Sequence, residues 1–432
     1  MSSTVSHRLG ALAGASALLA ALLVATLAVA ATAAGSKVQW TRQFGTGAAD
    51  LAIAVDVDRV GRAYVGGITG GTFPGQTYHG EVDAYVRKYK AGGGVLWTRM
   101  FGTAGDDFMF GVAVHRKGRA YAVGMTDGKM PGQANHGGYD AFVRAYRPNG
   151  VAAWTRQFGT PGADQASAAA VDTKGRIYVA GTTEGILPGQ ASHGGADAFV
   201  RRYRPNGGIV WTRQFGTGGS DAAWGIAVDR KGRIYVVGST TGTLGSGPNK
   251  GGTDMFVRKY RPNGAVAWTR TFGSAAYDRA ASVAVDRKGR IIVAGSTEGA
   301  FPGFVNKGHN DIALRKYRPN GSVIWTRQFG TTGDDESSGV AFDRGGRSYL
   351  VGTTEGTLPG QPTKVGSDAF VRKYRPNGSV VWTRQFGTNQ VDMANGGKID
   401  PNGHLLVAGA TAGTLPGQVS KGQMDGYLRK YR

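Results

Sequence analysis

Cysteine is absent from this sequence of 432 residues. Its absence excludes disulfide bonds, a thiol nucleophile, a cysteine metal cluster and a lipid-modified cysteine. The common enzyme signatures are missing as well, because the sequence contains no H-E-x-x-H, no G-x-S-x-G and no P-loop. The sequence therefore predicts no catalytic residue, no metal site and no cofactor, and it favours a protein that is not an enzyme.

Acidic residues are few, since 29 Asp and Glu stand against 51 Lys and Arg, which gives a formal net charge of +22. A surplus of this size attracts polyanions such as acidic glycans, anionic lipid or nucleic acid. The charge is not accompanied by a known nucleic-acid-binding module. We expect an anionic polysaccharide, an envelope surface or a protein as the partner, and no nucleic acid.

Helical periodicity is missing after the N-terminal segment. Residues 1–34 carry Arg8 and a long apolar stretch that ends in small residues, with Ala31-Thr32-Ala33 as a cleavage site. This pattern is typical of a secretory signal. Because the apolar run is about long enough to span a bilayer, an uncleaved anchor is the alternative. Both interpretations predict a protein that is secreted or held at the cell envelope.

One motif, a version of WTRQFGT, recurs every 57 residues. The copies begin at Trp40, Trp97, Trp154, Trp211, Trp268, Trp325 and Trp382. Each repeat contains four short apolar runs bounded by turn residues, which predicts four strands, A to D. Strand B has consecutive apolar residues, as in Ile177, Tyr178 and Val179. Both faces of strand B should therefore be buried between neighbouring sheets.

Side-chain size grades along each repeat. Strand A uses small residues, such as Ala168, Ala170 and Gly225, whereas strand D uses Trp and Phe. A wedge-shaped blade needs small side chains near a crowded axis and large ones at the rim. The sequence therefore predicts an all-β fold over residues 37–432, a seven-bladed β-propeller of four-stranded antiparallel blades.

The repeats begin and end out of phase with the blades. A solitary strand D, Val38–Gly45, opens the repeat region, and the chain stops after a strand C, GYLRKYR. A solenoid would need polar caps rather than this offset. We therefore expect the first strand to complete the seventh blade and close a monomeric ring.

The repeat resembles a known family. The stretch DDFMFGVAVHRKGRAYAVGMT, followed by DAFVRAYRPNGVAAWTRQFGT, is similar to the bacterial SBBP beta-propeller repeat. The resemblance covers Val38 to Arg432. It implies a propeller in an exported or cell-surface bacterial protein, and it implies no shared catalytic residues.

Two aspartates recur in every blade. One precedes strand A, namely Asp50, Asp107, Asp164, Asp221, Asp278, Asp335 and Asp392. The other opens strand C, namely Asp83, Asp140, Asp197, Asp254, Asp311, Asp368 and Asp425. A ring of calcium ligands or catalytic carboxylates is one interpretation, and we expect the other, in which Asp accepts backbone N–H bonds in turns. Arg42 and its six equivalents in strand D are expected to pair with these aspartates.

Uniform positions build the ring, so function is expected where the repeats differ. Trp224, Tyr277, Arg279 and Phe304 break the pattern on the adjacent blades four and five. Aromatic rings with an arginine at a propeller mouth can stack a sugar or clamp a planar anion. In the alternative, bulky residues plug the channel and Arg279 forms an ion pair with Glu336.

A second register offers a basic group on the B–C loop of every blade. Its members are His79, His136, His193, Lys250, Lys307, Lys364 and Lys421. A metal site is disfavoured, because packed sheets lie about 10 Å apart whereas zinc needs its nitrogens about 2 Å away. A ring that attracts anions is favoured over a metal site, and solvated loop charge is the alternative that stays open.

The opposite end of the propeller carries the DRKGR and RKYRPNG turns, which gather positive charge on one face. Both chain ends should emerge there, so an uncleaved anchor would set this face against anionic lipid. Ordinary solvated turn charge is the alternative. In strand A, Asp56 of blade one and Lys398 of blade seven replace the usual Ala, and we expect these two residues to pair beside the channel.

These patterns predict an exported binding or scaffold propeller at the cell envelope. The alternative is a lyase or hydrolase that acts on glycans at the channel mouth around Trp224, Arg279 and Phe304.

Overall fold

The computed structural model describes residues 37–247, 249–362 and 365–432. The predicted signal or anchor, residues 1–34, lies outside the described residues. The part of the chain that is described contains 28 β-strands and no helix, so it has no helix that is long and apolar enough to cross a membrane.

The strands recur in the order A, B, C, D. Strands A are β2 (Asp50–Val57), β6 (Asp107–Val114), β10 (Asp164–Val171), β14 (Asp221–Val228), β18 (Asp278–Val285), β22 (Asp335–Phe342) and β26 (Asp392–Ile399). Strands B are β3 (Ala63–Thr69), β7 (Ala120–Thr126), β11 (Ile177–Thr183), β15 (Ile234–Thr240), β19 (Ile291–Thr297), β23 (Ser348–Thr354) and β27 (Leu405–Thr411). Strands C are β4 (Asp83–Tyr89), β8 (Asp140–Tyr146), β12 (Asp197–Tyr203), β16 (Asp254–Tyr260), β20 (Asp311–Tyr317), β24 (Asp368–Tyr374) and β28 (Asp425–Tyr431). Strands D are β1 (Val38–Phe44), β5 (Val95–Phe101), β9 (Ala152–Phe158), β13 (Ile209–Phe215), β17 (Val266–Phe272), β21 (Val323–Phe329) and β25 (Val380–Phe386).

These strands form seven four-stranded antiparallel sheets among the described residues, one for each blade. Strand A of each blade lies beside strand A of the next, and β26 lies beside β2. Blade seven has the strand order β1-β28-β27-β26, with Trp40 paired to Lys430 and Gln43 paired to Tyr427. The predicted seven-bladed propeller, closed by its N-terminal strand, is therefore confirmed.

The core lies between the blades. In the described residues, seven apolar clusters fill the seven junctions between neighbouring sheets. Every residue of β15 and β27 is buried, which fits strands covered on both faces. A fully buried aromatic side chain such as Phe142 contributes up to about 3 kcal/mol relative to an exposed one.

Strand A contains a β-bulge in every blade. In blade one the pairing with β3 jumps from Ala52 opposite Gly67 to Ala54 opposite Gly66, so Ile53 has no partner. The equivalent unpaired residues are Phe110, Ser167, Trp224, Ala281, Ser338 and Asn395. A bulged residue leaves the ladder, which explains why this register varies so widely in a uniform repeat.

The recurring tryptophan joins each blade to the next. Trp97 Nε1 of blade one donates to the Pro148 carbonyl in the C–D turn of blade two at 3.2 Å, and Lys88 Nζ donates to the same oxygen at 2.7 Å. Gly150 of that turn has φ +84°, and a Cβ there would lie 2.9 Å from the Trp97 ring. Only glycine adopts this backbone easily and lets the turn rest on the indole.

The predicted pairing of the strand D arginine with an aspartate is wrong. Arg42 Nε donates to the Gly93 carbonyl at 3.1 Å, and Arg42 Nη1 donates to the Thr41 carbonyl at 2.8 Å. The strand D arginine therefore faces the C–D turn of the next blade, as Arg99 also does. The recurring aspartates lie at the other end of the blade, beyond its reach.

The recurring aspartates organise the loops between blades, as the structural interpretation expects. Asp221 Oδ2 accepts hydrogen bonds from the Thr217 N–H and the Thr217 hydroxyl, at 2.6 and 2.9 Å. Asp197 Oδ2 accepts the His193 N–H at 2.9 Å and Gln214 Nε2 at 2.8 Å. Because both side chains are almost fully buried, these bonds fix the B–C loop of blade three and the D–A loop that leads into blade four.

Gly216 lies between the two aspartates of this junction. A Cβ on Gly216 would lie 2.1 Å from Asp197 Oδ1 and 2.8 Å from Asp221 Oδ2. We expect Gly216→Ala to lower the free energy of unfolding by at least about 2 kcal/mol, because a buried carboxylate must move. Gly218→Ala is the matched control, since no atom lies within 4 Å of its added Cβ. Equal urea midpoints for the two variants would contradict the prediction.

Burial also changes the titration of these carboxyls. Burial raises the pKa of Asp107 to about 6. Hydrogen bonds from Thr126 and Thr103 oppose this increase, and the negative charge of Asp83 adds a smaller increase. Burial likewise raises the pKa of Asp50, Asp164, Asp278 and Asp335. A raised pKa means that the folded state binds the proton more tightly than the unfolded state.

The contribution of the protonated Asp107 carboxyl to the free energy of unfolding is therefore fully present below its unfolded pKa, near 3.8. It is lost as the pH rises through about 6. Lowering the pH from 7 to 5 should raise the free energy of unfolding by about 1 kcal/mol from this carboxyl alone. Thermal melts in high salt, which screens the growing positive charge, measure the effect. Asp107→Asn should reduce the difference between the two pH values, and an unchanged difference would refute the assignment.

Candidate functional site

An axial cavity of about 620 Å³ opens at the end of the channel where the A–B turns meet. Its wall is formed by the second halves of strands A from all seven blades, with residues such as Val55, Ile226 and Val283. Strand A is the inner edge of each sheet, so the N–H and C=O groups of alternate residues face the axis. The bulged residues do not line the cavity. The cavity therefore belongs to the end of the channel opposite the one that the sequence favoured.

One ion pair interrupts the cavity wall. Lys398 Nζ lies 2.8 Å from Asp56 Oδ1, so the pair expected from the sequence is present. Asp56 also accepts the Val57 N–H at 2.8 Å and the Val114 N–H at 2.7 Å. Asp56 thus links blades seven, one and two at the point where the ring closes.

The A–B and C–D turns form the basic face. Five A–B turn aspartates pair with an arginine of their own turn, as when Arg62 Nε lies 2.6 Å from Asp58 Oδ2, and Asp400 of blade seven pairs with Lys430 of strand C at 2.8 Å. Matching pairs join Arg176 to Asp172, Arg233 to Asp229, Arg290 to Asp286 and Arg347 to Asp343. The arginine at the second position of the turn, which follows an aspartate in four blades and His115 in blade two, remains exposed and, among the described residues, forms no ion pair. These arginines are Arg59, Arg116, Arg230, Arg287 and Arg344.

Four of these arginines, Arg59, Arg116, Arg287 and Arg344, line the mouth of the axial cavity. An outer circle of basic side chains lies at the C–D turns, namely Lys90, Arg147, Arg204, Arg261, Arg318 and Arg375, and Arg432 takes the equivalent position after strand C of blade seven. Because the carboxylates of this face are buried and paired, its field is strongly positive.

The D–A and B–C loops form the opposite face, here called the loop face. Eight carboxylates that belong neither to the junctions nor to the basic face all lie on it. They are Glu81, Asp106, Asp127, Glu184, Glu298, Asp334, Glu336 and Glu355. Burial, followed by repulsion from Asp127 and Glu81, raises the pKa of Asp106. The charge of the propeller is therefore separated between its two faces.

The structure brings together only two of the four residues predicted at the mouth. Arg279 Cζ lies 4.4 Å from the Trp224 ring centroid, and Trp224 Nε1 donates to Ser239 Oγ at 3.1 Å. Tyr277 lies in the preceding D–A loop and is 43% exposed. Phe304 packs against the apolar cluster between blades four and five. At the same position of the repeat, other blades have a glutamine that contacts strand D, the outermost strand of the blade. Phe304 therefore lies at the rim, away from the channel mouth.

Sequence reasoning missed an aromatic group on the loop face. Phe108 and Phe110 are stacked with ring centroids 6.3 Å apart, and Tyr139 lies 6.2 Å from Phe108. The signal was present, because Phe110 occupies the bulge register and Phe108 lies two residues earlier. Residues i and i+2 of a strand point to the same side, so the spacing of Phe108 and Phe110 already indicated that their rings lie together.

The basic register of the B–C loops has a structural role. The backbone N–H at each register position donates to the aspartate that opens strand C, as in Lys250 to Asp254 at 2.8 Å. The same bond is made by His79, His136, His193, Lys307 and Lys421. Lys364 lies outside the described residues. Within the described ranges, no three His, Cys, Asp or Glu side chains are close enough together to hold a metal ion.

Comparison with known families agrees with the fold. The model of the SBBP family, described as a beta-propeller repeat, matches residues 153–188, 210–245 and 324–358. Three segments of the chain thus match the SBBP beta-propeller repeat. They fall in blades two to six of the propeller, each across a strand D and the following A–B hairpin.

Individual relatives are distant. The regulatory protein FlaEY of Caulobacter vibrioides is 26% identical over 360 residues, which are 72% of this chain and 37% of the relative. The chain thus spans little more than a third of that relative's length. An ulvan lyase, a polysaccharide lyase solved with a bound saccharide, has a TM-score of 0.45 and 15% identity, with 89% of this chain and 95% of that one covered. A Bacteroides fragilis protein has been assigned as a 6-phosphogluconolactonase without proof of activity. It has a TM-score of 0.45 and 13% identity, with 80% of this chain and 87% of that one covered. Neither solved structure bears on what this chain binds.

Proposed function

We infer that the SBBP propeller is an exported, non-enzymatic binding module of the bacterial cell envelope whose basic face holds an anionic polysaccharide. One observation carries this proposal. The arginines around the axial cavity lack acidic partners, whereas the exposed carboxylates lie on the loop face. A surface of this kind attracts a polyanion and orients the propeller on it.

The geometry supports binding in two parts. The outer circle of C–D turn residues meets a long chain at many points, which favours avidity over selectivity. The axial cavity, at about 620 Å³, is in the size range of small-molecule pockets and admits one acidic sugar unit. We propose that its rim arginines, such as Arg116 and Arg344, bind the carboxylate or sulfate of that unit.

An enzyme that works at the loop face is the second candidate. The stacked pair of Trp224 and Arg279 favours it, because such a pair offers both a sugar platform and a cation. The two candidates place the glycan on opposite faces, so variants on each face distinguish them.

Binding to immobilised heparin, alginate and neutral dextran over a range of salt concentrations tests the proposal. We expect retention on both polyanions that falls steeply with salt, and no retention on dextran. Trp224→Ala should leave retention unchanged. Loss of binding in Trp224→Ala, or a time-dependent shortening of the polysaccharide, would favour the enzyme at the loop face and reject the basic-face module.

A further inference from the structure

The outer edge of each propeller blade needs protection, because strand D pairs on one side only. In five blades a glutamine of the B–C loop covers one outward N–H of strand D. In blade six, for example, Gln361 Oε1 accepts the Gln385 N–H at 2.9 Å. The same bond is made by Gln76 to Met100, Gln133 to Gln157, Gln190 to Gln214 and Gln418 to Gln43.

In blade four, a backbone carbonyl accepts the equivalent outward N–H of strand D. The loop of this blade has no glutamine here, and the Ser246 carbonyl accepts the Thr271 N–H at 3.4 Å. Ser246 forms a parallel bridge with Arg270, and Ser246 Oγ donates to the Thr269 carbonyl at 3.1 Å. A short extended segment that runs parallel to strand D therefore takes the place of the glutamine side chain.

Blade five has neither device. Phe304 occupies the glutamine register, and Gln328 is the strand D residue that corresponds to Gln385 and Thr271. The outward N–H of Gln328 has no acceptor among the described residues, because the side chain that accepts it elsewhere is an aromatic ring here. Phe304 is only partly buried, and the adjacent Val305 is 76% exposed. An unpaired edge N–H thus lies beside an apolar surface.

We propose that the outer edge of blade five binds an extended peptide segment of a partner protein, which adds a parallel strand to β21. Blade four shows the form of the occupant, since the chain's own backbone fills the equivalent place there. The peptide supplies a carbonyl to the Gln328 N–H and an apolar side chain to Phe304 and Val305. The B–C loop carries the exposed Lys307 close in sequence to Phe304 and Val305, so a peptide with an acidic residue beside the paired segment fits best.

A second copy of this chain fits less well, because each copy has a net charge of +22 and the two would repel. The site is at the rim, separate from the basic face, so this proposal and the proposed polysaccharide binding can fail independently.

Phe304→Gln is the decisive variant. It restores the residue found in five other blades, so the fold should be preserved and the Gln328 N–H should gain its missing acceptor. The probe is a displayed library of linear decapeptides, selected on the full-length wild-type protein. We expect the selected peptides to bind Phe304→Gln at least about tenfold more weakly, the change expected from one lost hydrogen bond and its apolar contact. Hydrogen exchange at Gln328 should slow when a peptide binds the wild type.

A gain-of-function variant provides the matched test. Gln361→Phe removes the acceptor of the Gln385 N–H in blade six and should create a second peptide site of the same kind. Equal binding of the selected peptides to wild type and Phe304→Gln would overturn the proposal, as would unchanged exchange at Gln328 on binding. If wild type dimerises and Phe304→Gln is a monomer, the occupant is a second copy and the partner-peptide proposal is wrong.

Discussion

A chain that begins at Thr46 is expected to lose at least about 5 kcal/mol of stability, because several buried groups lose their partners at once. Gln43 donates to Asp425 at 2.8 Å and accepts the Leu415 N–H at 2.9 Å. Phe44 belongs to the apolar cluster between blades seven and one, and Thr41 Oγ1 accepts Arg429 Nε at 3.0 Å. Thermal unfolding should shift down by about 6 °C or more, with β28 exposed as an unpaired edge.

A synthetic peptide of residues 37–45 provides the control for this truncation. Added in trans, it should pair with β28 and restore much of the lost thermal stability. A peptide with Gln43→Ala should restore less, since Asp425 and Leu415 remain without their hydrogen bonds. A truncated chain that melts at the wild-type temperature would mean that β1 does not close the ring.

The architecture could be predicted from the sequence because the same pattern of apolar and turn residues recurs in seven repeats. Trp40 alone would be one aromatic residue in a strand, but a tryptophan at each of seven equal intervals predicts a shared contact in every blade. The phase of the repeat, with strand D first and strand C last, then predicts how the ends meet. Each of these inferences uses only the periodicity, which is visible in the sequence even when no side-chain partner is known.

Contacts between blades were harder to predict. The arginine of strand D was assigned to an aspartate because both recur, but recurrence does not say at which end of the blade each residue lies. The actual partner, the carbonyl of a C–D turn glycine, is a backbone group that every sequence contains. A sequence pattern cannot identify such a partner, since every residue type supplies a backbone carbonyl.

The position of the candidate site shows the same limit. A register fixes the blade and the height of a residue along the axis, but its distance from the axis depends on the contacts that it makes. Phe304 and Trp224 share a face and lie on neighbouring blades, yet one is at the rim and the other at the channel. The basic face could have been favoured earlier, because in D-R-K-G-R only the second arginine is placed to pair with the aspartate four residues before it.

Removing the four arginines at the cavity mouth should weaken polyanion binding by about a thousandfold at moderate salt. The variant combines Arg59→Gln, Arg116→Gln, Arg287→Gln and Arg344→Gln. Each basic residue near an anionic surface contributes about 1 kcal/mol, so four of them together contribute about 4 kcal/mol. The affinity should also depend less steeply on salt, because fewer counterions are released. Titration calorimetry with heparin over a range of salt concentrations measures both quantities.

The loop face offers a control with the same change in net charge. Lys129, Lys250, Lys307 and Lys421 are exposed there, and changing all four to Gln also removes four positive charges. If the polyanion binds the basic face, this control should lose no more than about threefold, because the opposite face lies beyond a Debye length at moderate salt. Equal losses in the two variants would mean that overall charge drives association, and the arginines around the axial cavity would then have no special role. A loss confined to the four arginines would place the polyanion at the cavity mouth, where the ion pair of Lys398 and Asp56 forms part of the wall.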